Sequence, residues 1–227
     1  MRRTFARPGE LNGSVKIKPR MNRLSLYLHR KSREQKHRLF LQLLRPTPAM
    51  RILNVGASGT SIGLPEQLES FYKYRSQIVG GGISFPDVQD YRESFPGVQA
   101  VAFDGCALPF ADKSFDIVYS NAVLEHLPDN ECLKRFAAEV QRVGKGWFVT
   151  TPNFWYPVDP HYHLPFVQLL PESAQRGLVR RLGKTPYDHL HLLTRRHLRR
   201  LFPVGNVVGC RVTFYPETLI AYRASSV

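Results

Sequence analysis

Two spacings of apolar residues divide this chain. Between residues 22 and 44, Leu24, Leu28, Leu39, Leu43 and Leu44 recur at helical intervals among many charges, which predicts one helix or two with a single apolar stripe. The prolines of "RPTPAM" end it. Such a helix is expected to pack across an edge of the domain after it. From residue 51 the pattern changes to short apolar runs. "RILNV", "SQIVGGGIS", "VQAVAFDG", "SFDIVYSNA" and "GWFVTTP" read as five buried strands. Helical stretches separate them: one after the first strand, through about Ser70, and the amphipathic "ECLKRFAAEVQRV" before the fifth. Strands alternating with helices predict parallel βαβ units with right-handed crossovers. The tail "VVGCRVTFYPETLIAY" adds one or two more strands. The expected architecture is α/β: a doubly wound, mostly parallel seven-stranded sheet flanked by helices over 49–227, preceded by an arm and helix over 1–48. No internal repeat or low-complexity segment interrupts it.

One stretch breaks this alternation. Residues 153–202 open with "TPNFWYPVDPHYHLPF", dense in proline, aromatics and histidine, and continue as a basic, helical segment. An insert at the carboxyl end of a strand lies where an open α/β sheet binds its ligands, so it is expected to act as a substrate-side lid.

Composition changes this picture little. The chain has 227 residues, 43% of them hydrophobic, as in an ordinary soluble domain with a sizeable core. No apolar run approaches the roughly 18 residues of a membrane span. The start, "MRRTFARPGELNG", lacks the apolar segment of a secretory signal, and its Arg-rich, acid-poor character leaves a transit peptide as the lesser alternative. Cys106, Cys132 and Cys210 are scattered and form no CxxC pair, which argues against a disulfide framework and fits a cytoplasmic protein. Charge matters more. The net charge is +14. Residues 1–51 hold 14 of the 32 Lys and Arg but only two of the 18 acids, Glu10 and Glu34, leaving the body close to neutral. A basic arm is either a solvated surface or a contact for an anionic partner such as RNA or a membrane surface.

The candidate chemistry starts at the glycine loop, "VGASGTSIG". Gly56 and Gly59 allow the backbone to turn tightly and approach a ligand. The amides at the start of the next helix favour negative charge. The spacing is not GxGxxG, and no lysine makes it a phosphate-gripping loop. Asp104 follows the third strand directly, where a carboxylate can accept a hydrogen bond from an adenine amino group.

The order of glycine loop, "FDGCALPFADKSFDIV", "SNAVLEHLPD" and a strand ending "TTPN" resembles the class I S-adenosyl-L-methionine-dependent methyltransferases, in particular the methyltransferase type 11 group, over about residues 50–155. The resemblance implies a Rossmann-like fold, S-adenosyl-L-methionine as cofactor and methyl transfer to an O or N atom of a small-molecule or glycan-like acceptor. An RNA methyltransferase using the basic arm, and a non-catalytic partner protein of the same fold, are the alternatives. By the same resemblance, Gly56 and Gly59 wrap the methionine part of the cofactor. Asp104 meets the adenine, Gly105 and Cys106 flank the ring, and the residues around Asn121 and Leu124 line the sulfonium side. Two positions depart from the pattern. Asn54 stands where the group commonly has aspartate, and Gly82 where an acid binds the ribose hydroxyls. Losing a charge-assisted contact of roughly 1.5–3 kcal/mol predicts cofactor binding weaker by roughly ten- to a hundredfold, unless Ser84 or a water substitutes.

Methyl transfer needs a base only if the acceptor must lose a proton, and histidine is the usual candidate. His126, His161 and His163 are the candidates here. His161 and His163, two apart, share one face if the loop is extended. Asp159, His161 and His163 together form an O/N ligand set that could serve zinc or iron, but no fourth partner is evident and no metal is assigned. Phe154, Trp155, Tyr156, Tyr162 and Phe166 either wall an acceptor pocket or form the insert's own core. Arg195, Arg196, Arg199 and Arg200 read as a solvated helix face.

Overall fold

The computed structural model describes residues 23–59 and 67–225. Five strands run parallel: β1 (Ile52–Val55), β2 (Ile78–Gly82), β3 (Gln99–Ala102), β4 (Phe115–Asn121) and β5 (Gly144–Pro152). The tail supplies β6 (Asn206–Cys210) and β7 (Thr218–Arg223), both antiparallel to their neighbours. The order across the seven-stranded sheet is β3-β2-β1-β4-β5-β7-β6. The expected doubly wound sheet is therefore present, with an antiparallel edge.

The sheet is covered on both faces, as parallel strands require. Every residue of β1 is buried. Leu53 and Val55 point toward α4 (Asn130–Val143) and α6 (Arg195–Leu201), in one core with Phe136, Val140 and Leu198. Ile52 faces the other way, in a second core with Ile117, Phe148 and Ile220. The helix after β4 starts where its sequence says it should: Asp129 accepts a hydrogen bond from the Cys132 amide at 2.7 Å and caps α4, a contact worth roughly 1 kcal/mol.

The N-terminal segment forms a single helix, α1 (Arg23–Leu44). It does not pack across an edge, as its sequence suggests, but lies on a face. Phe40 is fully buried and meets Tyr119 of β4 and Phe148 of β5 edge-on, each with ring centroids 5.4 Å apart. The apolar stripe is wide enough to close the second core, and aromatic burial of this kind outweighs the many charges on the helix.

Beneath the glycine loop lies a buried polar triad. The predicted helix after β1 falls partly in 60–66, outside the described residues. Its described remainder is a single turn, α2 (Leu68–Phe71). Glu69 in that turn is fully buried. Its Oε1 accepts from Asn54 Nδ2 at 2.7 Å and from the Tyr91 hydroxyl at 2.7 Å. Tyr91 belongs to α3 (Phe85–Ser94). Its hydroxyl reaches Glu69 only because residue 80 is glycine: a Cβ there would lie 2.3 Å from that oxygen. Burial pushes the Glu69 carboxyl above the usual range, while the bonds from Asn54 and Tyr91 pull it down.

This triad makes Asn54 a structural donor. Asn54→Asp would set a second carboxyl against Glu69 and is expected to cost roughly 2–4 kcal/mol at pH 8. The cost should shrink toward pH 5, where the pair can share a proton. Adding Glu69→Gln restores a donor–acceptor pair and is expected to recover most of the loss in urea unfolding. Equal stability of Asn54→Asp and the parent at pH 8 would contradict the donor role.

Candidate active site

The parallel strands all end at one edge, and the residues just beyond them make up the candidate site. In its first half, Gly56 and Ala57 donate their amides to the Gly81 carbonyl at 2.8 and 3.1 Å. Gly56 needs to be glycine twice over: its φ is +83°, and a Cβ would lie 2.3 Å from Val123 Cγ2. At Gly59 a Cβ would lie 2.2 Å from the Asp90 carboxylate, so this end of the loop sits directly on α3. Gly82 is different. Among the described residues, a Cβ there would meet nothing closer than the Gly56 Cα at 3.9 Å. The next large side chains, Ile83 and Phe85, are 81% and 70% exposed. Two such apolar residues at the mouth of the cleft are a surface that a flat ligand can cover. Their sequence signal is plain: "GISFP" places them directly after a strand. Ser84 caps α3, its hydroxyl accepting from the Asp87 amide at 3.4 Å, which leaves its O–H free to donate.

Asp104 is exposed in the same cleft, with Oδ1 accepting from the Cys106 amide at 2.8 Å. Gly105 packs on Phe136, where a Cβ would lie 2.9 Å from the ring. Cys106 departs from the expectation that it flanks a ligand ring. Its thiol turns inward to the Cys132 carbonyl at 3.4 Å, and burial pushes it up to about 12. Only its backbone lies along the cleft.

The second half is a cavity of about 700 Å³ at the ends of β4, β5 and β7, roofed by α1 and walled by the insert. Asn121 Oδ1 accepts from the Thr150 hydroxyl at 2.8 Å and from Lys36 Nζ at 3.0 Å. Ala122 comes next at φ +58°, a left-handed conformation that is costly for alanine and is found where strain serves a site. Glu125, on the short turn Leu124–His126, is fully buried. Its Oε2 accepts from the Thr151 hydroxyl at 3.1 Å, while Oε1 has no partner among the described residues. Burial raises this carboxyl to about 7. His126, at the cavity rim, meets His161 edge-on with centroids 5.1 Å apart. Its ring is held below the usual histidine value by burial and by His161, against a hydrogen bond to the His189 backbone. The ligand atoms of Glu125, His126 and His161 all lie within 4.8 Å of one another.

The insert is not extended where its histidines sit. Asp159 is fully buried, and its Oδ1 accepts the His161 and Tyr162 amides at 2.9 and 2.7 Å. The His163 amide closes the turn on the Asp159 carbonyl at 2.9 Å. His161 and His163 therefore diverge. His161 joins His126, whereas His163, at φ +55°, turns to His29 of α1 at 5.9 Å between ring centroids. Of the insert's aromatics, Tyr156 lines the cavity. Tyr162 is core, packed with Val167 and Val179, and Trp155 and Phe166 are exposed.

Two cavity residues are not evident from the sequence pattern. Lys36 lies on the same face as Phe40 and Leu44, at i, i+4 and i+8, which marks it as inward-facing despite its charge. Glu125 interrupts the apolar run "VLEHL". The basic arm over 1–22 lies outside the described residues. Among the described residues, no helix is long and apolar enough to cross a membrane.

Residues 54–149 match the family model described as a methyltransferase domain. No curated protein matches the chain. Solved structures share the fold at low identity. Geranyl diphosphate C-methyltransferase from Streptomyces coelicolor aligns over 92% of this chain and 86% of its own, with a TM-score of 0.58 and 12% identity. An S-adenosylmethionine-dependent methyltransferase from Thermotoga maritima aligns over 88% and 93%, with a TM-score of 0.57 and 14% identity. One from Methanosarcina mazei aligns over 80% and 95%, with a TM-score of 0.51 and 17% identity.

Lys36 offers a test of the cavity that needs no ligand. Burial, then Arg33, holds its amine down from 10.5 to about 8. The folded value is the lower one, so the penalty for burying the charge is fully present below pH 8. It fades as pH rises to about 10.5. Lys36→Met is expected to stabilise the protein by about 1–3 kcal/mol at pH 7, with the gain shrinking toward pH 10.5. Urea unfolding at both pH values measures it, and a gain independent of pH would refute the assignment.

Proposed function

We propose that this chain, whose residues 54–149 belong to the type 11 group of class I S-adenosyl-L-methionine-dependent methyltransferases, moves a methyl group to an oxygen or nitrogen of a small-molecule or glycan-like acceptor held in the second half of the cleft. The observation that carries this reading is the juxtaposition at β4. One strand end, Asn121, stands beside Gly56 in the register of β1 and β4 and also lines the polar cavity with Glu125.

The residues present fit the cofactor. No described residue crowds Gly82, Ile83 and Phe85 stand exposed beside it, and Asp104 presents an exposed carboxylate. The loop at Gly56 and Gly59 would hold the amino-acid part, and Asp104 the adenine amino group. When bound, S-adenosyl-L-methionine supplies a methyl group already activated by positive sulfur. What remains for the protein is largely positioning. Asn121 and the strained Ala122 fix the boundary between the two halves. Lys36 and Thr150 lock the Asn121 side chain, and the cluster of Glu125, His126 and His161 receives the acceptor's polar end. His163, turned to α1, has no part in that cluster. The cavity's size, about 700 Å³, lies within the range of small-molecule sites.

The test is calorimetric titration with S-adenosyl-L-methionine and its demethylated product. Micromolar binding is expected, weakened at least tenfold in Asp104→Ala. Gly82→Asp is the more pointed variant. The backbone there is not left-handed and a Cβ meets no close neighbour, so the new carboxylate can reach a ribose diol without strain. Binding is expected to tighten roughly ten- to a hundredfold. No binding up to millimolar cofactor in both the parent and Gly82→Asp would overturn the proposed activity.

A further inference from the structure

The cluster at the inner end of the cavity has more order than acceptor binding alone requires. Three side chains of ligand type converge there from two distant segments, the turn after β4 and the insert. Their ligand atoms lie within 4.8 Å of one another, so side-chain movements of under about 1 Å would bring them onto one ion at ordinary bond lengths of about 2.0–2.2 Å. Polar groups stand behind them. Thr151 donates to Glu125 Oε2, leaving Oε1 buried and, among the described residues, unpartnered. The His189 backbone stands beside the His126 ring and favours its proton. The Nδ1 of His161 is buried 3.9 Å from Asp159 Oδ2, and among the described residues neither atom has a hydrogen-bond partner. A hydroxyl bonded to one ligand and a carboxylate behind another are outer groups of the kind that orient metal ligands.

We propose that Glu125, His126 and His161 bind one divalent first-row transition-metal ion, with zinc the best match to two imidazoles and one carboxylate. Its remaining positions open onto the cavity beside Asn121. An acceptor offering an oxygen donor, a hydroxyl or a carboxylate, would complete the shell there. The ion is not disfavoured by its neighbours: Glu125, Asp159 and Glu217 balance Lys36 and Arg33 around the same cavity. The ion-binding set differs from the one suggested by the sequence, since His163 lines the cavity beside His29 and outside this group, and Asp159 stands behind His161. The role given to the ion rests on the methyl-transfer reading, whereas its binding does not.

The experiment uses the full chain, stripped with a chelator and titrated with zinc chloride alone by calorimetry, with bound metal counted by plasma mass spectrometry. Cobalt(II) substitution adds a visible spectrum that reports coordination number. One ion per chain at micromolar affinity or tighter is expected. Glu125→Gln and His161→Ala are each expected to weaken it at least a hundredfold, and Asp159→Asn about tenfold. His163→Ala is expected to leave it unchanged. Circular dichroism and cofactor titration on the same samples check that the variants are folded. Absence of stoichiometric zinc, or binding that survives both Glu125→Gln and His161→Ala, overturns the ion site. Cofactor uptake without zinc uptake overturns the ion site alone. Zinc uptake without cofactor uptake supports the ion site and overturns the methyl-transfer reading.

Discussion

β1 has no freedom of register, and the rest of the molecule depends on that. Its four residues are all buried between β2 and β4. A slip of one residue would exchange the faces of Leu53 and Val55 with those of Ile52 and Asn54. It would drive the Asn54 amide into the apolar core of α4 and leave Glu69 without its donor. The pairing of Val55 with Gly81 on one side and Ser120 on the other also sets the ends of three strands level. Both halves of the cleft hang from that alignment. The glycine loop leaves β1 against Gly81, and Asn121 leaves β4 one residue beyond.

The asparagine at position 54 is explained by its neighbour, since an aspartate there would face a second carboxyl. Here the acid is Glu69, one turn away, with Asn54 and Tyr91 as its donors. A buried carboxyl is tolerable only with such donors, and reaching it requires a glycine at position 80. Gly80 and Gly81 are thus explained by packing, since a Cβ at Gly81 would lie 1.8 Å from the Val101 carbonyl oxygen. Gly82 is not: among the described residues nothing demands glycine there. The run of three glycines is uniform in sequence and divides in structure into two packing requirements and one open position.

The strands and their order are legible in the sequence because each is a short apolar run bounded by loops, and a parallel sheet buries such runs on both faces. The glycine loop and Asp104 are legible because they come directly after strands. The illegible parts depend on distant partners. Lys36 and Glu125 carry charges, and only the tertiary structure shows that α1 lies on a sheet face and brings Lys36 to Asn121, 85 residues away. The two insert histidines mislead for a local reason: Asp159 folds the chain back on itself, and a proline-rich segment that suggests extension is a turn. Cys106 has its expected place along the chain but not its expected direction, since its thiol faces the core and not the cleft.

The two halves of the cleft are specified by different physics, and this bears on what can bind in each. The first half is backbone, glycine and exposed apolar surface, which suits one rigid ligand and tolerates little change. The second is assembled from α1, three strand ends and the insert, and its walls carry charged groups of both signs. Among the described residues, Glu125 Oε1, Asp159 Oδ2 and Glu217 Oε1 are buried there without a hydrogen-bond partner. Leaving such groups unmet costs roughly 1–3 kcal/mol each, which favours polar or cationic occupants over apolar ones. The fold shared with a C-methyltransferase of geranyl diphosphate therefore says little about this cavity, whose walls are polar and charged.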